Sequence, residues 1–323
     1  MVLTATLKDG HEFEPMELEA LMIQALVWSL GAALIESSRL RFDAYLKYLA
    51  CMSAIQDETV EPKVGELPSW KTLYDFTYDV DRRVWVPWAK LVPEYVHDPQ
   101  RKFYDILVPT VETFRATWLL QLMMNIKRPV VLVGETGTSK TATILDFLRG
   151  IDEETHLLLT MNFSSRTTSL DVQRNLEANV EKRTKDTYGP PSNKRLIIFI
   201  DDLNMPQQPG GGDALQITYG KGRGVLTTTQ KKEGEEEKNY APHAHLSSPC
   251  QWTRFPAAEG MCLCSVPTSR FVSLFSVFNM TFPDSSSLMK IYTSILSGHL
   301  SPFPPEISHL TEEITNVTMM LYA

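Results

Sequence analysis

Residues 129–150, PVVLVGETGTSKTATILDFLRG, set an apolar run, a glycine-bearing loop and a helix-forming segment in immediate succession. The run from Pro129 to Val133 reads as a β-strand that ends at Gly134. Gly137 lets the following loop curl so that backbone N–H groups point inward, as phosphate oxygens require. Gly134, Glu135, Thr136, Gly137, Thr138, Ser139, Lys140 and Thr141 are therefore the candidate phosphate-binding residues. In this pattern Lys140 reaches the outer phosphates and the Thr141 hydroxyl ligates Mg²⁺. The helix behind them turns its positive N-terminal end to the anion. The match to G-x-x-x-x-G-K-[ST] departs at one position, because Ser139 stands where glycine is expected. Serine is small and reaches unusual backbone angles at modest cost, so the loop reads as a working variant. A chance match in a flexible loop is the plain alternative; the strand before and the helix after argue against it.

Downstream, His156 to Phe163 reads as a second strand and Leu170 to Lys182 as a helix, with Thr168 and Asp171 in capping-box spacing. A turn-rich loop, Thr184 to Lys194, leads to a third strand, RLIIFI at 195–200. Alternating strands and helices imply an α/β fold, a parallel sheet flanked by crossover helices. The third strand ends in Asp201-Asp202, about 60 residues after the loop. At the carboxyl edge of such a sheet Asp201 faces Lys140 and Thr141 and holds the Mg²⁺ hydration shell. Asp202 is placed to orient or deprotonate an attacking water. Taken alone, two acids that end a strand more commonly face solvent; the loop upstream is what favours the metal role.

Upstream, residues 17–50 read as helical, with Gly31 as a break. Residues 56–70 carry Pro62, Gly65 and Pro68 and read as a linker. The stretch 71–108, with WVPW at 85–88, reads as an extended arm packed across a domain, and 109–126 as an amphipathic helix leading into the first strand. Over 323 residues, 43% hydrophobic and 22% charged, the composition is that of a globular chain able to bury a core. A net charge of -8 with scattered basic residues argues against nucleic-acid binding. The N-terminus has no secretory signal, and the apolar stretch Leu18 to Ile35, interrupted by Gln24 and Ser29, falls short of the ~20 residues of a membrane span. No membrane is expected as a partner. Four cysteines form no disulfide framework. His243, His245, Cys262 and Cys264 are spaced more tightly than usual zinc ligands, so no zinc site is expected.

The quoted residues resemble one family. GETGTSKTATI, NFSSRTTSLDVQRNLEANVEKRTKDTYGPP, IIFIDDLNMPQ and SRFVSLFSVFN look like the third AAA+ module of an axonemal dynein heavy chain. LEALMIQALVWSLGAALIESSRLRFDAYLKYL resembles the C-terminal helices of the second module, and WVPWAKLVPEYVHDPQRKFYDILVPT the lead-in to the third. The resemblance runs from 17 to 207 and resumes over about 269–300. It implies an AAA+ P-loop NTPase fold, ATP or ADP with Mg²⁺ as cofactors, and residence in the cytoplasm, in the cytoskeleton of the ciliary or flagellar axoneme. It implies neighbouring AAA+ modules of the same heavy chain as partners, with intermediate and light chains and microtubules engaged only through the full-length parent. By this resemblance residues 1–60 belong to the second module, 61–128 are linker and lead-in, 129–300 form the third module's large subdomain, and 301–323 are a truncated start of its lid. Asp202 then occupies the position of the catalytic glutamate, one methylene shorter, which slows hydrolysis without preventing binding. Arg270 matches the arginine that serves the neighbouring module's nucleotide in trans.

Between Gln208 and Thr268 the family pattern disappears. The segment carries a glycine triplet at 210–212 and a mixed-charge run from Lys231 to Lys238, and it lacks a helical or strand period. Lys221 to Gly224 follow no strand and read as a solvated loop. The expectation is an aberrant segment, disordered or the product of a retained intron, a shifted frame or a divergent splice form, and a core sheet without its fourth strand. Two functions follow: an ATP-binding module that contributes to minus-end-directed motility as part of a full ring, weak or inactive alone, or a nucleotide-binding structural and regulatory module with little hydrolysis. An unrelated phosphate-loop kinase or GTPase would need an acceptor or base-recognition motif that the chain does not present.

Overall fold

The leucine- and alanine-rich N-terminal region folds as two helices, α1 (Pro15–Ser29) and α2 (Glu36–Leu49), with a tight 3₁₀ turn at Gly31–Ala33 between them. The computed structural model describes residues 13–50, 52–182, 187–203, 217–219, 226–228, 239–240, 245–250, 274–308 and 310–322. The chain divides into two units, one of Met1–Leu119, Gly137–Thr143 and Thr281–Ala323, the other of Leu120–Thr136 and Ile144–Met280. Glycine at position 31 has a steric reason: a Cβ there would stand 2.3 Å from the Tyr74 hydroxyl, which itself donates to the Gly31 carbonyl at 3.1 Å.

In the first unit, strands β1 (Ser53–Ile55) and β2 (Glu66–Pro68) pair in parallel, and β3 (Phe76–Asp79) and β4 (Val84–Pro87) form an antiparallel hairpin. The stretch read from sequence as an extended arm is thus partly a folded hairpin, because Phe76, Tyr78, Trp85 and Val86 are all buried. Gln24 of α1 closes over it. Its Oε1 accepts from Tyr78 N at 2.7 Å and its Nε2 donates to Thr77 Oγ1 at 3.3 Å. The polar interruption of the apolar run is therefore a core residue that satisfies a strand. Counted together with the 3₁₀ turn, the helical segment Pro15–Ala33 spans 19 residues at a mean hydropathy of 1.2, long and apolar enough to cross a membrane. Length and composition alone set that comparison, and 56% of the window is buried within the protein, as in a core helix. Helix α3 (Val111–Asn125) contributes Trp118, which meets Trp28 and Trp88 edge-on at 6.1 and 5.2 Å. Arg115, one turn before, donates to the Tyr74 carbonyl at 2.9 Å; burial pushes its pKa down, while Glu112 and Asp75 act the other way.

The second unit is built on β5 (Val130–Val133); the chain then runs through Gly137–Thr143, which belong to the first unit, and α4 (Lys140–Arg149) carries it back at Ile144. Then follow β6 (His156–Asn162), α5 (Ser169–Ala178), β7 (Glu181–Lys182), β8 (Thr187–Gly189) and β9 (Arg195–Asp201). Short strands β10 (Ile217–Tyr219), β11 (Leu226–Thr228) and β12 (Asn239–Tyr240) precede β13 (His245–Cys250) and β14 (Ser276–Asn279). The main sheet has the order β14-β5-β13-β9-β6, parallel throughout, with β12-β8-β7 and β10-β11 as separate small sheets. Alternate residues Leu196, Ile198 and Ile200 of β9 pack with Val131, Met161 and Phe163 against Val172 and Leu176 of α5. Helix α5 starts at a complete capping box: Thr168 N donates to Asp171 Oδ2 at 2.9 Å, and Asp171 N to Thr168 Oγ1 at 3.3 Å.

The expectation of a sheet without its fourth strand is overturned, since β13 lies between β5 and β9. The physical reason is the backbone. An open slot there would leave two facing rows of N–H and C=O groups unpaired, and any short extended segment relieves that cost. HLSSPC is a poor strand by composition, and Pro249 brings no N–H to the ladder, so local propensity gave no sign of it.

The chain returns to the first unit with α6 (Ser285–Leu300), α7 (Pro305–Ser308) and α8 (Thr311–Tyr322). Asp284 caps α6 by accepting from Ser287 N at 2.7 Å, and the Ser287 hydroxyl donates to Glu112 at 3.2 Å.

Candidate phosphate-binding site

The buried strand β5 delivers the chain at the carboxyl edge of the sheet, where Gly134 is buried and Glu135, Thr136 and Gly137 are exposed. Gly137 takes φ +89°, a region that L side chains avoid. Space is not the reason for glycine here, because a Cβ would meet only Phe282 at an ordinary 3.7 Å. Ser139 also enters the left-handed region, at φ +56°. Its carbonyl is held twice from within the next helical turn, by Thr143 N at 2.9 Å and Thr143 Oγ1 at 2.8 Å. Lys140 opens α4 and is only 5% exposed. Its Nζ donates to Thr138 Oγ1 at 3.0 Å, and Thr138 is 3% exposed. The loop therefore holds an ammonium group at the start of a ten-residue helix, a combination that suits a phosphate ester.

Asp201 ends β9 and stands opposite Asn162 of β6. In register, Val130 is level with Ser247, and Ser247 with Phe199, so the end of β5 stands level with Asp202. One strand separates β5 from β9, which puts their axes roughly 10 Å apart. Gly134 to Thr136 and the two acids thus leave the sheet at one edge, as parallel topology requires. Asp202 has φ +53°, and its N–H donates to Asp201 Oδ1 at 3.0 Å; both acids are half-buried. The Thr141 hydroxyl and the Asp201 carboxylate are hard oxygen donors of the kind Mg²⁺ takes.

The structure brings Thr138, Ser139 and Lys140 into one hydrogen-bonded loop with Thr143, and sets Asp201 and Asp202 on the same sheet edge as Gly134, Glu135 and Thr136. Arg270 lies outside the described residues, as do Lys221 to Gly224, His243, Cys262 and Cys264; of His245 only the backbone strand is described. Among the described residues no three His, Cys, Asp or Glu side chains gather as a metal site. Thr143 was missed in sequence. The signal was available in its i+4 spacing from Ser139, the spacing at which a threonine hydroxyl bonds back to a carbonyl.

Comparison with known families matches residues 95–217 to the P-loop containing dynein motor region and residues 5–90 to the dynein heavy chain AAA lid domain. The chain is 49% identical over 318 residues to human dynein axonemal heavy chain 10, covering 96% of this chain and 7% of that protein. It is 38% identical over 332 residues to the dynein-1-alpha heavy chain of the flagellar inner arm I1 complex of Chlamydomonas reinhardtii, covering 99% and 7%. It is 30% identical over 332 residues to dynein axonemal heavy chain 5 of Rattus norvegicus, covering 99% and 9%. The chain spans less than a tenth of the length of these curated relatives.

Proposed function

This chain belongs to the dynein heavy-chain family, and from that premise we propose that residues 129–300 are the third AAA+ module of an axonemal dynein, binding ATP or ADP with Mg²⁺. Residues 1–60 are then C-terminal helices of the second module, 61–128 the linker and lead-in, and 301–323 the beginning of the third module's lid. The observation that carries the reading is the buried Lys140 at the head of α4, its Nζ donating to Thr138 in the loop that follows β5 along the chain. Lys140 binds the outer phosphates, Gly134 to Ser139 wrap them with backbone N–H groups, and Thr141 with Asp201 holds the metal partly through water. Mg²⁺, when bound, neutralises phosphate charge. Arg270 serves the nucleotide of the adjoining module.

Within the full heavy chain the module works with the other AAA+ modules, with intermediate and light chains, and with microtubules in ATP-driven, minus-end-directed motility of cilia or flagella. Its place is the axoneme, in the cytoskeleton. A second reading rests on Asp202, an aspartate at the position of the family's catalytic glutamate. A shorter carboxylate misplaces the general base, so the module holds nucleotide as a regulatory or structural element and hydrolyses little.

Calorimetric titration of the purified chain with Mg²⁺ and ATP or ADP tests the binding. Micromolar affinity that Lys140→Ala abolishes is the expected result. Equal affinity of the two proteins, or none in a folded wild type, would remove the basis of the proposal.

A further inference from the structure

We propose that Thr138 is a positioning residue for Lys140, a role that rests on the nucleotide-binding reading above. A lysine carries four rotatable bonds and ordinarily holds its ammonium in water. Here the side chain is buried and its Nζ donates to Thr138 Oγ1 at 3.0 Å. The two residues stand on either side of Ser139, whose left-handed angle turns the backbone between them. Thr143 fixes that turn by donating twice to the Ser139 carbonyl. The contact is therefore set by the loop's own backbone rather than by a chance meeting of mobile side chains.

An ammonium has three donors, and the bond to Thr138 uses one of them. A group with three donors can keep this contact when phosphate oxygens arrive. Its effect is to fix the lysine's rotamers before the ligand binds, and immobilisation already made does not weaken binding again. Thr138 thus raises affinity for nucleotides with outer phosphates without touching the base or sugar. AMP, which lacks those phosphates, gains nothing from it.

The test compares the wild-type chain with Thr138→Val, which removes the acceptor at nearly constant size, and Thr138→Ser, which keeps it. Calorimetry with Mg²⁺–ATP and Mg²⁺–ADP is paired with AMP measured by competition, and melting without ligand confirms folding. Thr138→Val should weaken ATP and ADP roughly three- to tenfold, leave AMP unchanged, and be rescued by Thr138→Ser. Thr138→Ala replaces the valine variant if that one does not fold. Wild-type ATP affinity in Thr138→Val, an equal loss for AMP, or no rescue by serine overturns the role. Failure of wild type to bind ATP, or a neutral Lys140→Ala, would instead strike the nucleotide-binding reading itself.

Discussion

At Ser139 the chain accepts a backbone angle that costs an L residue about 1 kcal/mol, in a loop whose pattern reserves the position for glycine. The two bonds from Thr143 show how the surrounding turn offsets that cost. Asp202 sits in the same backbone region at φ +53°, where aspartate is tolerated better than most residues. If Asp202 is a general base set back by one methylene, Asp202→Glu should raise single-turnover hydrolysis about tenfold or more while leaving ATP affinity nearly unchanged. An unaltered rate in quench-flow would detach Asp202 from the chemistry. The places of Lys140 at the head of α4 and Asp201 at the end of β9 were readable from sequence, because the strand, loop and helix follow one another in a local pattern. Thr143 was not, since a threonine inside a helix looks like any other helix residue until its acceptor is located.

Helix caps divide in the same way. Thr168 and Asp171 announce α5 because the motif is local, and both halves of the box are formed. Asp284 caps α6 with equal clarity, yet the serine run after it carries no such pairing in its spacing. Burial pushes the Asp284 pKa up, but hydrogen bonds from Ser287 and Ser286 and the nearby Lys71 outweigh it and hold the carboxyl below the ordinary aspartate value of 3.8. Thr168 likewise holds Asp171 below that value through side-chain and backbone bonds. A folded-state pKa below the unfolded one gives stability that is present above 3.8 and lost as pH falls through the lowered value. Asp284→Asn keeps a capping oxygen and removes the charge, so acid unfolding followed by circular dichroism should become shallower below that pH. An acid limb of unchanged steepness would mean that Asp284 does not titrate with unfolding. Strand β13 lies beyond this kind of local reading, because its place is decided by β5 and β9 and not by its own side chains.

Over the whole molecule, the parallel sheet was legible as alternating strands and helices, whereas the β3–β4 hairpin was not. Its burial depends on α1, and the bond joining Gln24 to Tyr78 spans 54 residues, a separation that no local period encodes. The strand that His245–Cys250 supplies to the sheet was not visible in the sequence either. The aromatic cluster has a further consequence, in optical terms. Trp28, Trp70, Trp85, Trp88 and Trp118, five of the six tryptophans, belong to the first unit, and the sixth, Trp252, is outside the described residues. Residues Gly137–Thr143 of the phosphate loop belong to that same unit. Indole emission therefore watches the unit that carries Lys140, with no added label. Ligand at a hundred times its Kd stabilises a folded state by about 2.7 kcal/mol, so Mg²⁺–ATP should move the emission-detected urea midpoint upward. A midpoint that stays still while the far-ultraviolet amide signal shifts would mean that these indoles are blind to the ligand.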